Sequence, residues 1–231
     1  MNHINLFLAG DSTMATYDVN RAPQMGWGQV LDQYFNEKIK IWNEAVPGRS
    51  TKTFIQEGRQ KRICQLIKPG DYLFVQFGHN DSKADSDRYT EPFTTYKQNL
   101  EIFISNARSK GAFPVLLTPV QRRNFTIKGK ILDKHGSYPV AMRELAMELA
   151  VPLIDITEKS TILLENIGPE LSKKLYMWLK RGDYSNYPEG MEDNTHFTEL
   201  GANTIAQLVI EGINDLRLPL AKFINKEEMG L

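Results

Sequence analysis

"LFLAGDSTMA", residues 6–15, is the stretch on which the reading of this chain turns. An apolar run, Leu6 to Ala9, breaks off at Gly10 and is followed at once by Asp11, Ser12 and Thr13. A short apolar run closed by a glycine and polar turn-formers reads as a buried strand that ends in a loop. Three uses of such a loop compete: an ordinary turn, a cradle for phosphate, and a platform for a nucleophile. The residue types by themselves suit a turn. No G-x-S-x-G pattern occurs, so the strained elbow of the α/β-hydrolases is not on offer.

Working outward, apolar runs of strand length recur at residues 4–9, 39–43, 71–77, 114–118 and 152–155. Amphipathic stretches separate them at 27–36, 52–68 (broken near Gly58), 92–110 and 137–150, and further helices are expected over 156–167, 170–180 and 198–217. Continuously apolar strands alternating with helices imply a parallel sheet covered on both faces. The expected fold is α/β: a single-domain, flavodoxin-like three-layer sandwich, its five-stranded parallel sheet flanked by helices. Function in such folds gathers at the carboxyl ends of the strands. The irregular stretches 78–91 and 120–136 follow the third and fourth strands and so share a rim with Ser12, and a third runs over 182–194. No repeat or interdomain linker stands out, and residues 1–231 are expected to form one catalytic domain.

Lys+Arg and Asp+Glu balance at 28 each, which gives the chain no global pull on nucleic acid or an anionic membrane. The single cysteine, Cys64, excludes an internal disulfide and a cysteine-rich zinc site, and reads as a small buried hydrophobe. No apolar run approaches the ~20 residues of a membrane span, and "INLFLAG" is too short for the core of a signal peptide. The expectation is a cytoplasmic protein without nucleic-acid or membrane partners, a monomer or small homo-oligomer.

Three more polar clusters complete the pattern. "NEAVPGRST", residues 43–51, follows the second strand, and Gly48 there would let backbone approach a ligand with its N–H turned into the site. "QFGHND", residues 76–81, follows the third strand. Its Asn80 amide can donate to a developing oxyanion without carrying charge, whereas His79 suits packing and hydrogen bonding to neighbouring loops. "EDNTHF", residues 192–197, lies on a loop entering the last helix. Asp193 can reach the His196 imidazole, fix its tautomer and leave the other ring nitrogen free as a base. Each cluster alone has a plain reading as a turn, a loop glycine or a helix cap. Together they supply a nucleophile (Ser12), a base (His196), an orienting acid (Asp193) and three oxyanion donors (the Ser12 and Gly48 N–H groups and the Asn80 amide). One site accounts for four clusters more simply than four coincidences do.

In this ordered set the sequence resembles the SGNH, or GDSL-type, hydrolases over essentially its whole length. Within them it is most similar to the rhamnogalacturonan acetylesterases, on "GDSTMA", "GWGQ", "GRSTKTFIQEGR", "QFGHNDS" and "DNTHFTELGA". The resemblance implies a serine carbohydrate esterase that removes acetyl groups from pectic oligosaccharides through an acetyl-enzyme. Ser12, Asp193 and His196 would be catalytic, with Gly48 and Asn80 in the oxyanion hole. No metal or organic cofactor is required by that chemistry. Arg122, Arg123, Lys128 and Lys130 form a basic segment in an otherwise neutral chain. Arg49, His79, Arg122 and Arg123 are candidate substrate contacts; Arg122 and Arg123 suit galacturonate carboxylates, the other reading of their segment being a solvated surface run. The alternatives are an esterase for another acetylated sugar such as xylan, and a non-catalytic carbohydrate- or flavin-binding protein of the same fold. A metallophosphoesterase lacks ligands, since the four histidines show no early D-x-H or late G-H-x-H pairing.

Overall fold

β1 (Ile4–Gly10) is an interior strand covered on both faces, and its sequence shows why. Leu6 and Leu8 face one core while Phe7 and Ala9 face another on the opposite side of the sheet. A strand with both faces buried must be apolar at every position rather than at alternate ones. The computed structural model describes residues 3–84 and 86–225, and Asp85 of the 78–91 loop lies outside the described residues. A short strand β2 (Gln24–Met25) precedes β3 (Ile39–Asn43), β4 (Tyr72–Gln76), β5 (Phe113–Leu117) and β6 (Leu153–Ile154). The five longer-range partners form one parallel sheet in the order β3-β1-β4-β5-β6.

Helices cover both faces. α1 (Trp27–Val30), α6 (Ile156–Leu171) and α7 (Glu199–Asp215) lie over the face of Leu6 and Leu8. α2 (Thr51–Gln56), α3 (Arg59–Leu66), α4 (Lys97–Ser109) and α5 (Tyr138–Glu148) cover the face of Phe7 and Ala9. The chain is therefore the expected three-layer sandwich. The break expected near Gly58 is real: that residue takes φ 72 between α2 and α3. Cys64 on α3 is half-buried, not buried.

Two expectations fail at one place. Residues 170–180 are not a helix: α6 kinks at Gly168–Pro169 and ends, and a single 3-10 turn (Ser172–Leu175) leads into strand β7 (Tyr176–Leu179). The 182–194 stretch is not wholly irregular, because Met191–Thr198 form strand β8, which puts Asp193 and His196 on a strand. β8 pairs antiparallel with both β7 and β2, making a second sheet in the order β2-β8-β7. The physical reason is the run "YMWL": aromatic residues favour the pleated, half-buried surface that β8 supplies, and Tyr176 and Met177 are fully buried there.

The approach of α7 to the turn before β7 depends on Gly201. A Cβ at that position would lie 1.8 Å from the Leu175 carbonyl oxygen, which is backbone and cannot swing away. Alanine gains ~1 kcal/mol of helix propensity over glycine, but overpacking against backbone costs ~1–3 kcal/mol or more. The clash should win. Gly201→Ala is expected to lower the urea midpoint with an unchanged m-value, and an unchanged or raised midpoint would show that α7 is not seated this closely.

Candidate active site

Parallel pairing sets Gly10 beside Gln76, so the loops after β1 and β4 emerge side by side. The loop after β1 is wound on Asp11, which is 1% exposed. One carboxylate oxygen accepts the Thr13 N–H at 3.0 Å and the Thr13 hydroxyl at 2.9 Å. The Asp11 carbonyl accepts the Met14 and Ala15 N–H groups, and the Thr13 carbonyl accepts the Trp27 N–H at 3.0 Å. The tetrad is thus a turn, and the turn presents Ser12 at 8% exposure. Burial works against ionisation of Asp11, but the His79 charge and hydrogen bond, with the two bonds from Thr13, hold its carboxyl below the usual range.

The Ser12 hydroxyl lies 3.0 Å from His196 Nε2. On the other side of that ring, Nδ1 is 2.7 Å from Asp193 Oδ2. The second Asp193 oxygen accepts the backbone N–H groups of Thr195 and His196 at 2.6 and 3.0 Å. Burial would raise the Asp193 pKa, but the ring hydrogen bond, the ring's charge and the two backbone donors outweigh it and bring it to about 2. The carboxylate therefore claims the Nδ1 proton, which leaves the Nε2 lone pair to accept from the serine.

The loop after β3 turns through Val46–Arg49, closed by the Arg49 N–H on the Val46 carbonyl at 3.4 Å. Gly48 takes φ 80 after Pro47, the combination a type II turn requires. The Asn80 amide donates to the Arg49 carbonyl at 3.0 Å and so spends one of its two hydrogens. Arg88 donates to the Asn80 side-chain oxygen at 3.3 Å and fixes which way the amide points. Neither the Ser12 nor the Gly48 N–H donates to another described residue. Beneath them buried Asp81 accepts from the Thr51 N–H, the Thr51 hydroxyl and the Thr90 hydroxyl, tying the two loops together. Burial nevertheless pushes its carboxyl up to about 7.

The candidate substrate contacts divide. His79 is 3% exposed, with Nδ1 3.2 Å from Asp11 and Nε2 3.0 Å from the Val120 carbonyl, so it holds loops and does not face substrate. Arg123 is likewise spent inside: on the Ser172 hydroxyl, the Asn194 side chain and the Pro169 carbonyl, with its plane over Trp178. It braces β8 beside Asp193 and His196. Arg49 pairs with Glu57 at 3.0 Å. Arg122, like Arg123, has no ion pair with a described residue, and it donates to the His79 carbonyl at 3.1 Å. Sequence reasoning missed Arg88, which lies in a loop of mixed charge.

A family model described as GDSL-like Lipase/Acylhydrolase matches residues 6–209, the span that holds Ser12, Gly48, Asn80, Asp193 and His196. The chain belongs to that family. Among its relatives, a protein named rhamnogalacturonan acetylesterase RhgT, from Bacillus subtilis (strain 168), is 48% identical over 97% of this chain and 96% of its own length. A second protein of that organism, named probable rhamnogalacturonan acetylesterase YesY, is 48% identical over 98% and 99%. The crystal structure of Bacillus subtilis YxiM superposes with a TM-score of 0.81 at 28% identity, covering 95% of this chain and 58% of that one. Members of this family are hydrolases of carboxylic esters, and the chain has the three-layer sheet of its solved relative.

Behind this esterase site, His79 meets His135 edge to face at 4.6 Å. His135 bonds to Asp133 through Nδ1 at 3.1 Å, and its buried Nε2 has no partner. Burial, opposed by the Asp133 bond but reinforced by the His79 charge, lowers its pKa to about 4. An unfolded histidine takes its proton near ~6.5, so between that pH and about 4 the unfolded chain binds more protons. Stability should therefore be lost as pH falls through this window, by up to ~3 kcal/mol from this residue. Urea titrations at pH 7 and pH 4.5 should show a smaller loss for His135→Gln than for the parent. Equal losses would mean that His135 is not held neutral.

Proposed function

We propose that this chain is a serine carbohydrate esterase that removes acetyl groups from pectic, rhamnogalacturonan-type oligosaccharides. The observation that carries the reading is the 3.0 Å approach of His196 Nε2 to the Ser12 hydroxyl, with Asp193 on the far nitrogen. The relatives named as rhamnogalacturonan acetylesterases, matched over nearly their full length, support the choice of substrate.

In the proposed reaction His196 Nε2 takes the Ser12 proton as Oγ attacks the acetyl carbonyl carbon. The carbonyl oxygen becomes an oxyanion facing the Ser12 N–H, the Gly48 N–H and the second hydrogen of the Asn80 amide. Collapse of this intermediate breaks the bond to the sugar oxygen, which leaves with the proton held on Nε2. Water then gives a proton to the same nitrogen, attacks the acetyl-serine and releases acetate, and the proton returns to Ser12. Asp193 remains ionised throughout and stabilises the imidazolium that forms twice per cycle.

Acetate release from acetylated rhamnogalacturonan fragments should exceed release from acetylated xylan. The reverse preference would move the chain to another acetylated sugar. Ser12→Ala should lose at least ~10³-fold in kcat while folding normally, and Asn80→Ala ~10²–10³-fold with little change in KM. His196→Ala should approach the serine variant in severity, and Asp193→Ala should retain more activity, because it only orients and stabilises the ring. An Asp193 variant worse than the His196 variant would contradict this division of roles.

A further inference from the structure

Both ring nitrogens of His79 meet acceptors. Nδ1 lies 3.2 Å from Asp11 Oδ2, and Nε2 lies 3.0 Å from the Val120 carbonyl oxygen. His79, Asp11 and Val120 are all buried, so these contacts have to be satisfied inside the protein. A carbonyl oxygen only accepts, and Nε2 must therefore carry hydrogen. The other oxygen of Asp11 accepts the Thr13 N–H and hydroxyl, as an ionised carboxylate does. Although burial opposes ionisation, the Asp11 carboxyl is held below its usual range, so the proton between Oδ2 and Nδ1 belongs to the ring. A neutral imidazole has one N–H, and at this place it would turn a lone pair toward an oxygen.

The surroundings support that charge through Asp11, the carboxylate in contact with the ring. His135 meets His79 edge to face at 4.6 Å and is kept neutral by its burial, with Asp133 beyond it on Nδ1. Arg122 donates to the His79 carbonyl, and Arg122, Lys83 and Asp81 lie within Coulombic reach of Asp11. Buried ions are costly unless paired and fully bonded, and this pair is both. Its place in the chain matters for the chemistry. Asp11 immediately precedes Ser12, and His79 immediately precedes Asn80. The bond between them therefore sets the spacing of the nucleophile's loop from the loop of the amide donor.

We propose that His79 is a buried imidazolium whose two N–H groups hold Asn80 in register with Ser12, so that the enzyme works with one histidine doubly protonated and the other, His196, free to accept. His79 touches no reacting atom and is a positioning residue. Its consequence for turnover rests on the esterase reading, whereas its charge does not. An oxyanion donor acts in the transition state, so misplacing Asn80 lowers kcat more than it raises KM.

Nitrogen NMR of histidine-labelled protein at pH 7, assigned against His79→Gln, should show hydrogen on both His79 ring nitrogens. In Asp11→Asn the side-chain oxygen can take the Thr13 bonds while the amide donates to the ring, and only Nε2 should then carry hydrogen. Kinetics read the positioning. His79→Gln offers hydrogen to one acceptor and turns its own oxygen toward the other, and should lose ~10²-fold in kcat with little change in KM. Adding Asp11→Asn supplies the missing donor, so the double variant should recover ~10-fold of that loss. Where the parent's spectrum shows the Nδ1 proton leaving as pH rises, kcat should fall with it, and the double variant should show no such fall. A single N–H on His79 at pH 7 would overturn the proposal. So would losses that simply add in the double variant, or a kcat that holds while Nδ1 gives up its proton. Failure of the parent enzyme on every ester would sink the esterase reading instead, and the spectrum would still decide the charge on His79.

Discussion

One buried carboxylate organises this site. Asp11 is held at the carboxyl end of β1, where water cannot solvate it, and every bond that compensates also builds something. Its bonds to Thr13 wind the turn that presents Ser12. Its bond to His79 tethers the loop that carries Asn80, and His79 passes the tether to the loop of Val120. An ionised group in such a place is costly unless its partners are complete. The requirement that they be complete is what fixes three loops relative to one another.

Two frameworks then meet. The parallel sheet brings Ser12, Gly48 and Asn80 to one rim through the register of β1 with β3 and β4. The small antiparallel sheet carries Asp193 and His196 on β8, across from that rim. The segment around residues 24–27 joins them: β2 pairs with β8, and two residues later the Trp27 N–H bonds to the Thr13 carbonyl. The Trp27 indole also donates to Gln76 at 2.8 Å, and Gln76 donates onward to the Thr118 carbonyl at 2.9 Å. Nucleophile and base are therefore positioned by different sheets and aligned by one short segment, residues 24–27.

The parallel sheet was readable from sequence because burial on both faces leaves an unbroken apolar run, as in Leu6–Ala9 and Leu73–Val75. The second sheet was not. β8 is polar along Glu192–His196, and its extended form comes from pairing with β7 before it and with distant β2, which no local pattern announces. The four polar clusters were legible as residue types in order, although the 3.0 Å contact between Ser12 and His196 spans 184 positions of sequence. Arg123 and Arg88 mark the limit. Arginines look alike in a sequence, yet the Arg123 guanidinium is consumed by partners 46–71 positions away while Arg88, in a loop of mixed charge, bonds to Asn80 at the site.

The central claim is that this arrangement makes Ser12 a nucleophile activated by His196. Labelling with a fluorophosphonate, followed by peptide mapping by mass spectrometry, tests it most directly. The account predicts one adduct per chain, on the peptide that contains Ser12, with labelling slowed by orders of magnitude in the His196→Ala variant. Modification of a different serine, or undiminished labelling without His196, would contradict it.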